Sequence, residues 1–363
     1  MEKSYEELLN ILKKETKVIN EQGLEIMVKR IPDYDEEGVF DPRVLEVRKR
    51  EKETNTEFGH GRTVADIRAG MGWPNRDVTD GTVRCMDRTI QGKNGDIPVK
   101  IYIPEEDKKR PCLIFFHGGG FFGGTLACVE NPCKCIARYA GAAVISVDYR
   151  LAPEHPFPQG LEDCFYAVSW AYNNSQLINI DKEKIGVCGD SAGGNLAAVC
   201  TLKDKNSGTN WIKFQAMLYP AVDIGMLRPG YEWSMDSYCI KEQDELITES
   251  VTALGKNADL LIGLYLNGIK ELAENEYVSP IFAKDVSRLP PALIITAEYD
   301  YLRLEGEAYA RKLKEAGVPV RMIRYNGMDH AFMDKIGLYP QAEDAMREVA
   351  ENFLCSLKKE ISG

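Results

Sequence analysis

Histidine is scarce in this chain. Only His60, His117, His155 and His330 occur in 363 residues, and none lies near the one cysteine cluster, Cys128, Cys133 and Cys135. Zinc needs several nitrogen and sulfur ligands at close spacing, and no Cys-x-x-Cys occurs among the ten cysteines, so no metal site is implied. Positive charge is also short: 45 Lys+Arg against 56 Asp+Glu give a net charge of −11. That balance argues against nucleic acid and anionic membrane surfaces as partners. Apolar runs such as Cys112 to Phe116 and Ala142 to Val147 stop far short of the roughly 18 residues of a membrane span. The opening Met1-Glu2-Lys3-Ser4-Tyr5-Glu6-Glu7 is acidic rather than an export signal, which predicts a cytoplasmic protein with reduced thiols.

What is present is the composition of a globular protein, with 44% hydrophobic and 28% charged residues. Ser4 and Glu7 form a capping-box pattern, and Leu8, Leu9, Leu12, Val18 and Ile19 follow near helical spacing, predicting a helical start. The charged run Arg48-Lys49-Arg50-Glu51-Lys52-Glu53 predicts a solvated helix face. From about Val83 the texture changes. Ile97, Val99, Ile101 and Ile103 alternate after Gly92-Lys93-Asn94-Gly95, predicting a hairpin.

Short apolar runs then alternate with helical stretches. The strands expected are Cys112 to Phe116, Ala143 to Val147, Ile185 to Cys188, Phe214 to Tyr219, Ala292 to Thr296 and Val318 to Ile323. Asn131 and Pro132 supply an N-cap and first-turn pair for one helix, and Gly317 a stop for another. The alternation predicts an α/β fold with a mostly parallel central sheet flanked by helices. Residues 221–280 break it with helical patterns alone. The expected organisation is therefore an N-terminal helical cap region over 1–80 and a main α/β domain over 81–363 carrying a cap insertion at 221–280.

Gly189-Asp190-Ser191-Ala192-Gly193-Gly194 stands between an expected strand and an expected helix. Gly-x-Ser-x-Gly in that setting is a nucleophile elbow, a turn so sharp that only small flanking residues fit. His117-Gly118-Gly119-Gly120 follows another strand and offers backbone N–H groups that can converge on one oxygen. No Gly-Lys-Ser/Thr follows, which sets a phosphate loop aside. With a serine at such an elbow the order is serine, acid, histidine, and only His330 follows the last expected strand. Asp300, just after the strand at 292–296, is the chosen acid, with Glu298, Asp329 and Asp223 as competitors. Asp329 is adjacent to the histidine and poorly placed to hold its Nδ1.

These segments, with Asp148-Tyr149-Arg150-Leu151-Ala152-Pro153-Glu154-His155-Pro156-Phe157-Pro158 and Glu298-Tyr299-Asp300, resemble the hormone-sensitive-lipase-like esterases of the bacterial family IV type, a branch of the α/β-hydrolases. The resemblance runs from about Pro111 to the C-terminus. It implies the α/β-hydrolase fold with a helical cap, a Ser191–Asp300–His330 triad, and an oxyanion hole from the N–H groups of Gly119, Gly120 and Ala192. It also implies that His117 anchors the glycine loop, that the Asp148 to Pro158 stretch and His155 are structural, and that Asp190 and Glu298 support the site by hydrogen bonds. Two positions depart from the pattern: Tyr301 stands where a proline is usual and Ala331 where a glycine is usual.

The implied activity is a serine carboxylesterase without metal or organic cofactor. Phe121 and Phe122, after the oxyanion glycines, and Tyr301, beside the acid, are expected to wall the pocket and favour short acyl chains, acetyl to about hexanoyl. An amidase or lactonase with the same triad, or a non-catalytic receptor on the same fold, stays open as an alternative. The expected partner is a small-molecule ester. A homodimer is as open as a monomer.

Overall fold

In the strand Arg110–Phe116, successive residues face opposite cores. Cys112, Ile114 and Phe116 join one apolar cluster, while Leu113 and Phe115 join a second. An uninterrupted apolar run of this length encodes a strand buried on both sides, which needs helices over both faces of the sheet.

The computed structural model describes residues 3–53, 63–105 and 108–359; His60 falls outside them. In chain order the main elements are α1 (Tyr5–Lys14), β1 (Thr16–Glu21), β2 (Leu24–Lys29), α2 (Pro42–Glu53), α3 (Val64–Ala69), β3 (Val83–Gly92), β4 (Gly95–Pro104), β5 (Arg110–Phe116), α4 (Glu130–Ala140), β6 (Ala143–Val147), α5 (Gln159–Asn173), β7 (Ile180–Asp190), α6 (Ala192–Asn206), β8 (Ile212–Leu218), α7 (Asp244–Ala253), α8 (Ala258–Tyr265), β9 (Ala292–Tyr299), α9 (Arg303–Glu315), β10 (Val320–Asp329) and α10 (Pro340–Lys359). The ten strands form one sheet in the order β1-β2-β10-β9-β8-β7-β5-β6-β4-β3. From β2 to β6 every neighbouring pair is parallel; antiparallel pairs occur only toward the two edges.

After β5 the chain adds β6 on one side and later β7 on the other, so the loops leaving β5 and β7 diverge at a topological switch point. Open α/β sheets build their sites there, at the C-terminal strand ends. Phe116 pairs with Gly189, which sets the start of the glycine loop beside the elbow. Tyr299 pairs with Asp329, bringing the ends of β9 and β10 together a few strands away.

Two expectations fail in the N-terminal half. Residues 1–80 are not a purely helical cap, since β1 and β2 pair across Gln22 and Gly23, both at positive φ, and β2 joins β10 in the main sheet. Leu24, Ile26 and Val28 are buried with exposed Glu25 among them, so a period of two prevails over the helical spacing read through Val18 and Ile19. Asn131 is not an N-cap either. The helix begins a residue earlier, at Glu130, and the Asn131 amide donates to Asn75 Oδ1 at 2.8 Å.

The Ser4–Glu7 capping box and the β3–β4 hairpin form as their patterns predict. Residues 221–280 carry α7 and α8 and no strand. The N-terminal segment meets them where Phe40 N–H donates to Gln243 at 2.9 Å and Lys241 N–H to Gly38 O at 2.8 Å. Among the described residues no helix is long and apolar enough to cross a membrane.

Candidate active site

β7 ends at Asp190, and the next residue, Ser191, sits at φ 54° and ψ −116°, a conformation costly for any residue with a side chain. Its surroundings hold it there. Ser191 N–H donates to Leu218 O at 2.8 Å, and its carbonyl accepts from Ala221 N–H at 3.3 Å. A Cβ on Gly193 would overlap the carbonyl oxygens of Phe116 and His117, and one on Gly189 would overlap the Gly193 backbone. The small flanking residues thus let α6 start hard against the end of β5, with Ser191 raised between them.

His330, just past β10, places Nε2 3.0 Å from Ser191 Oγ and Nδ1 2.7 Å from Asp300 Oδ2. A carboxylate only accepts, so Nδ1 carries the proton and Nε2 is free to accept from the serine hydroxyl. Burial alone would lower the imidazole pKa, but the fully buried Asp300 carboxylate beside it, with Asp190 and Asp329 adding to its effect, holds it above its ordinary value. Asp300 is itself fixed by accepting from Leu302 N–H at 2.9 Å.

The competing acids are engaged elsewhere. Glu298 accepts from Gly327 N–H at 2.8 Å, Asp223 from Leu227 N–H, Arg228 N–H and the Tyr231 hydroxyl, and Asp329 from Arg48 Nε at 2.7 Å. Burial pushes Glu298 upward against the pull of that Gly327 bond.

Gly118 N–H donates to Asp190 Oδ1 at 2.8 Å, joining the glycine loop to the elbow. Gly119 and Gly120 follow at φ 118° and 61°. Gly119 O accepts from Gly123 N–H at 2.8 Å and from Phe122 N–H at 3.2 Å. Among the described residues the N–H groups of Gly119, Gly120 and Ala192 find no acceptor. His117 is no rival base. It is buried, pushed down in pKa by that burial, stacked on Tyr149, and its Nδ1–H donates to Gly118 O at 2.8 Å. His155 is exposed beside Gln159, 3.1 Å from its amide oxygen.

Phe121 is buried and stacks on Tyr265 of α8, with ring centroids 3.9 Å apart. A Cβ on Gly120 would meet the Phe122 ring at 2.8 Å and Leu261 of α8 at 3.4 Å, so Phe121 and Gly120 lie under the 221–280 segment with Phe122 beside them. Tyr301 turns into that segment too, stacked on Trp233 at 5.1 Å with its hydroxyl 3.2 Å from Met226 Sδ.

Two residues here carry no sequence signal. Tyr219, at φ 34°, sets its ring edge-on to His330 at 5.0 Å. Arg48, expected on a solvated face, instead reaches Asp329 and Ser250, because α2 packs on the end of β10. Cys133 and Cys135 are buried in α4, where burial pushes their thiols well up, and Cys128 sits 3.3 Å from the Thr125 hydroxyl.

A family model described as an alpha/beta hydrolase fold matches residues 113–334. An arylesterase of Saccharolobus solfataricus is 34% identical over 68% of this chain and 76% of its own length. A carboxylesterase of Mycobacterium tuberculosis is 34% identical over 72% and 80%. Among solved structures, one from a study of two Rhizomucor miehei esterases superimposes with a TM-score of 0.75 at 32% identity, covering 89% of this chain and 98% of that one.

Proposed function

Because the chain belongs to the α/β-hydrolase family, among the hormone-sensitive-lipase-like carboxylesterases, we propose that Ser191, His330 and Asp300 carry out its ester hydrolysis through an acyl-enzyme. The supporting observation is the unbroken hydrogen-bond chain from Ser191 Oγ through the ring of His330 to Asp300.

His330 Nε2 takes the hydroxyl proton as Oγ attacks the ester carbonyl. Asp300 holds the ring tautomer and stabilises the imidazolium. Negative charge gathers on the former carbonyl oxygen, where the N–H groups of Gly119, Gly120 and Ala192 receive it. Fixed donors at that point stabilise the transition state more than the substrate. The alcohol leaves with the proton from His330. Water then gives a proton to the same nitrogen, attacks the acyl-serine, and releases the acid and Ser191.

Residues 221–280, with the N-terminal segment that meets them, act as the cap. Phe121 and Tyr301, packed against this cap, and Phe122 beside Gly120 limit the acyl pocket to short chains. Each methylene accepted in an apolar site is worth about 0.8 kcal/mol, so kcat/KM rises with chain length until the pocket ends. For p-nitrophenyl esters below their micelle concentrations that rise stops by about hexanoyl. A maximum at dodecanoyl or longer, or sharp activation at an oil–water interface, would refute the short-chain assignment. Ser191→Ala abolishes hydrolysis, and an organophosphate labels the wild type once, on the Ser191 peptide; an active alanine variant would refute the mechanism. Amide and lactone substrates run beside the esters test whether the bond preference is ester.

A further inference from the structure

The glycines that make the oxyanion loop possible also make it soft. Gly119 and Gly120 sit at positive φ with no side chains to lock them, so the peptide plane between them is held by the hydrogen bonds that the Gly119 carbonyl accepts. Whatever fixes the donors of those bonds fixes the direction of the Gly120 N–H. The candidate lies in the N-terminal region, in α3.

Arg68 reaches from α3 across the outer face of the loop. Its Nε–H donates to Phe122 O at 2.5 Å and its Nη2–H to Ala152 O at 2.7 Å. The guanidinium is held in turn by Glu154, through Nη1 at 2.9 Å and Nη2 at 2.6 Å. Ala152 N–H donates to Phe121 O at 2.9 Å, so both strands of chain that Arg68 grips are also tied to each other. Met71 covers Gly123 so closely that a Cβ there would overlap its sulfur.

Because the peptide unit is planar, gripping one end fixes the other. The Phe122 carbonyl and the Gly123 N–H belong to one unit. That N–H donates to Gly119 O, and the Gly119 carbonyl shares its own unit with the Gly120 N–H. Two rigid planes joined by one hydrogen bond therefore connect the Arg68 guanidinium to the Gly120 donor. We infer that Arg68 is a positioning residue of the hydrolase, aiming the Gly120 N–H at the oxyanion through the Phe122–Gly123 and Gly119–Gly120 peptides. The inference rests on the oxyanion-hole assignment proposed above.

Arginine suits this role because its planar fork serves two carbonyls and a carboxylate at once, which a lysine ammonium cannot do in the same geometry. Loss of a direct oxyanion donor costs on the order of 10²–10³ in kcat. Loosening one through its support should cost about ten- to a hundredfold.

The test compares wild type, Arg68→Ala, Arg68→Lys and Glu154→Gln by kcat and KM on p-nitrophenyl acetate. It adds the inhibition constant of a trifluoromethyl ketone, which forms a tetrahedral oxyanion on the serine, with active sites counted by organophosphate titration. Arg68→Ala should lower kcat per titrated site at least tenfold with KM within about twofold, and weaken the ketone by a similar factor. Arg68→Lys should fall between, and Glu154→Gln, which leaves the carbonyl contacts, should stay within about threefold of wild type. Should the alanine variant not fold, the lysine variant decides by the same paired fall. Kinetics and ketone affinity within twofold of wild type for the arginine variants would overturn the positioning role. A wild type that neither reacts with organophosphate nor binds the ketone would overturn the underlying site assignment instead.

Discussion

Between β5 and the loop after β10 the functional groups are placed by backbone shape, whereas the N-terminal region is held on by side chains that reach across the chain. In the first region Gly189, Gly193, Gly119 and Gly120 occupy positions where a Cβ would overlap backbone or meet a packed ring. In the second, Lys29 of β2 is buried between Asp344 at 3.0 Å and Glu348 at 2.8 Å of α10 and donates to Leu12 O at 3.0 Å. Arg324 of β10 joins Glu21 of β1 at 2.7 Å to Glu307 of α9 at 2.8 Å. Arg48 of α2 holds Asp329 at 2.7 Å. Backbone constraint writes a short local pattern. A pair separated by hundreds of residues writes none.

Adjacent carboxylates, one from each regime, give the largest contrast. Asp300 grips His330, while Asp329, its sequence neighbour, is committed to the N-terminal Arg48. Asp300→Asn should lower kcat on the order of 10⁴ by favouring the wrong imidazole tautomer. Asp329→Asn should cost activity far less and show mainly as lost stability. Steady-state kinetics with thermal unfolding of both variants decides, and a reversed order of the two kcat losses would remove the assignment of the acid.

Next in size is the buried lysine. Lys29→Met leaves Asp344 without its cation and Glu348 with only Arg321 at 3.5 Å, and breaking a buried ion pair from one side costs about 3–5 kcal/mol. Denaturant unfolding should show that loss, while kcat per titrated active site stays near wild type. A kcat falling in parallel with stability would mean that the N-terminal strands shape the site as well as brace the sheet.

A shift in pH dependence is a smaller effect and separates the regions again. In the proposed mechanism the working base is neutral His330, and its pKa lies above the ordinary imidazole value of about 6.5 because the Asp300 carboxylate, with Asp190 and Asp329, outweighs burial. Activity should therefore fall on acidification with a midpoint above 6.5. In Asp300→Asn burial is opposed only by the lesser effects of Asp190 and Asp329 and the midpoint should move down, whereas in Lys29→Met it should not move. The kcat/KM profile against pH checks all three, and a wild-type midpoint near 6 would contradict the sign.

The same division explains what could be read from residues alone. The six expected strands from Cys112 onward, the elbow and the late histidine all carry signals a few residues long, and each forms within a few positions of its expected place. The β1–β2 pair was masked by Val18 and Ile19, which continue the spacing of α1 although the chain turns at Gln22–Gly23. Arg48 sits in a charged run that reads as solvent-facing, and Arg68 in a stretch that carries no motif. Their partners, Asp329 and the Phe122 carbonyl, lie 281 and 54 residues further on. Tyr301 departs from the family pattern beside the acid and packs on Trp233, an interaction that no spacing announces.

The smallest effect concerns a place where the candidate catalytic region puts a side chain on a positive-φ backbone, as it does at Ser191, Phe121 and Tyr219. Ala331, directly after the base, sits at φ 59° and ψ 28°, a left-handed conformation in which a glycine would pay no steric cost. An L side chain there costs roughly 1–2 kcal/mol. Ala331→Gly removes that strain but frees the unfolded chain, which returns about 0.4–1 kcal/mol. The net gain should be roughly 0.5 kcal/mol, a rise in denaturation midpoint without a change in slope. If the backbone already holds this turn as alanine, His330 keeps its place and kcat stays within about twofold. A glycine variant that lost activity while gaining stability would show that the methyl group braces the imidazole. Backbone shape alone would then not account for the placement of the base, and the contrast between the two regions would narrow at the catalytic histidine itself.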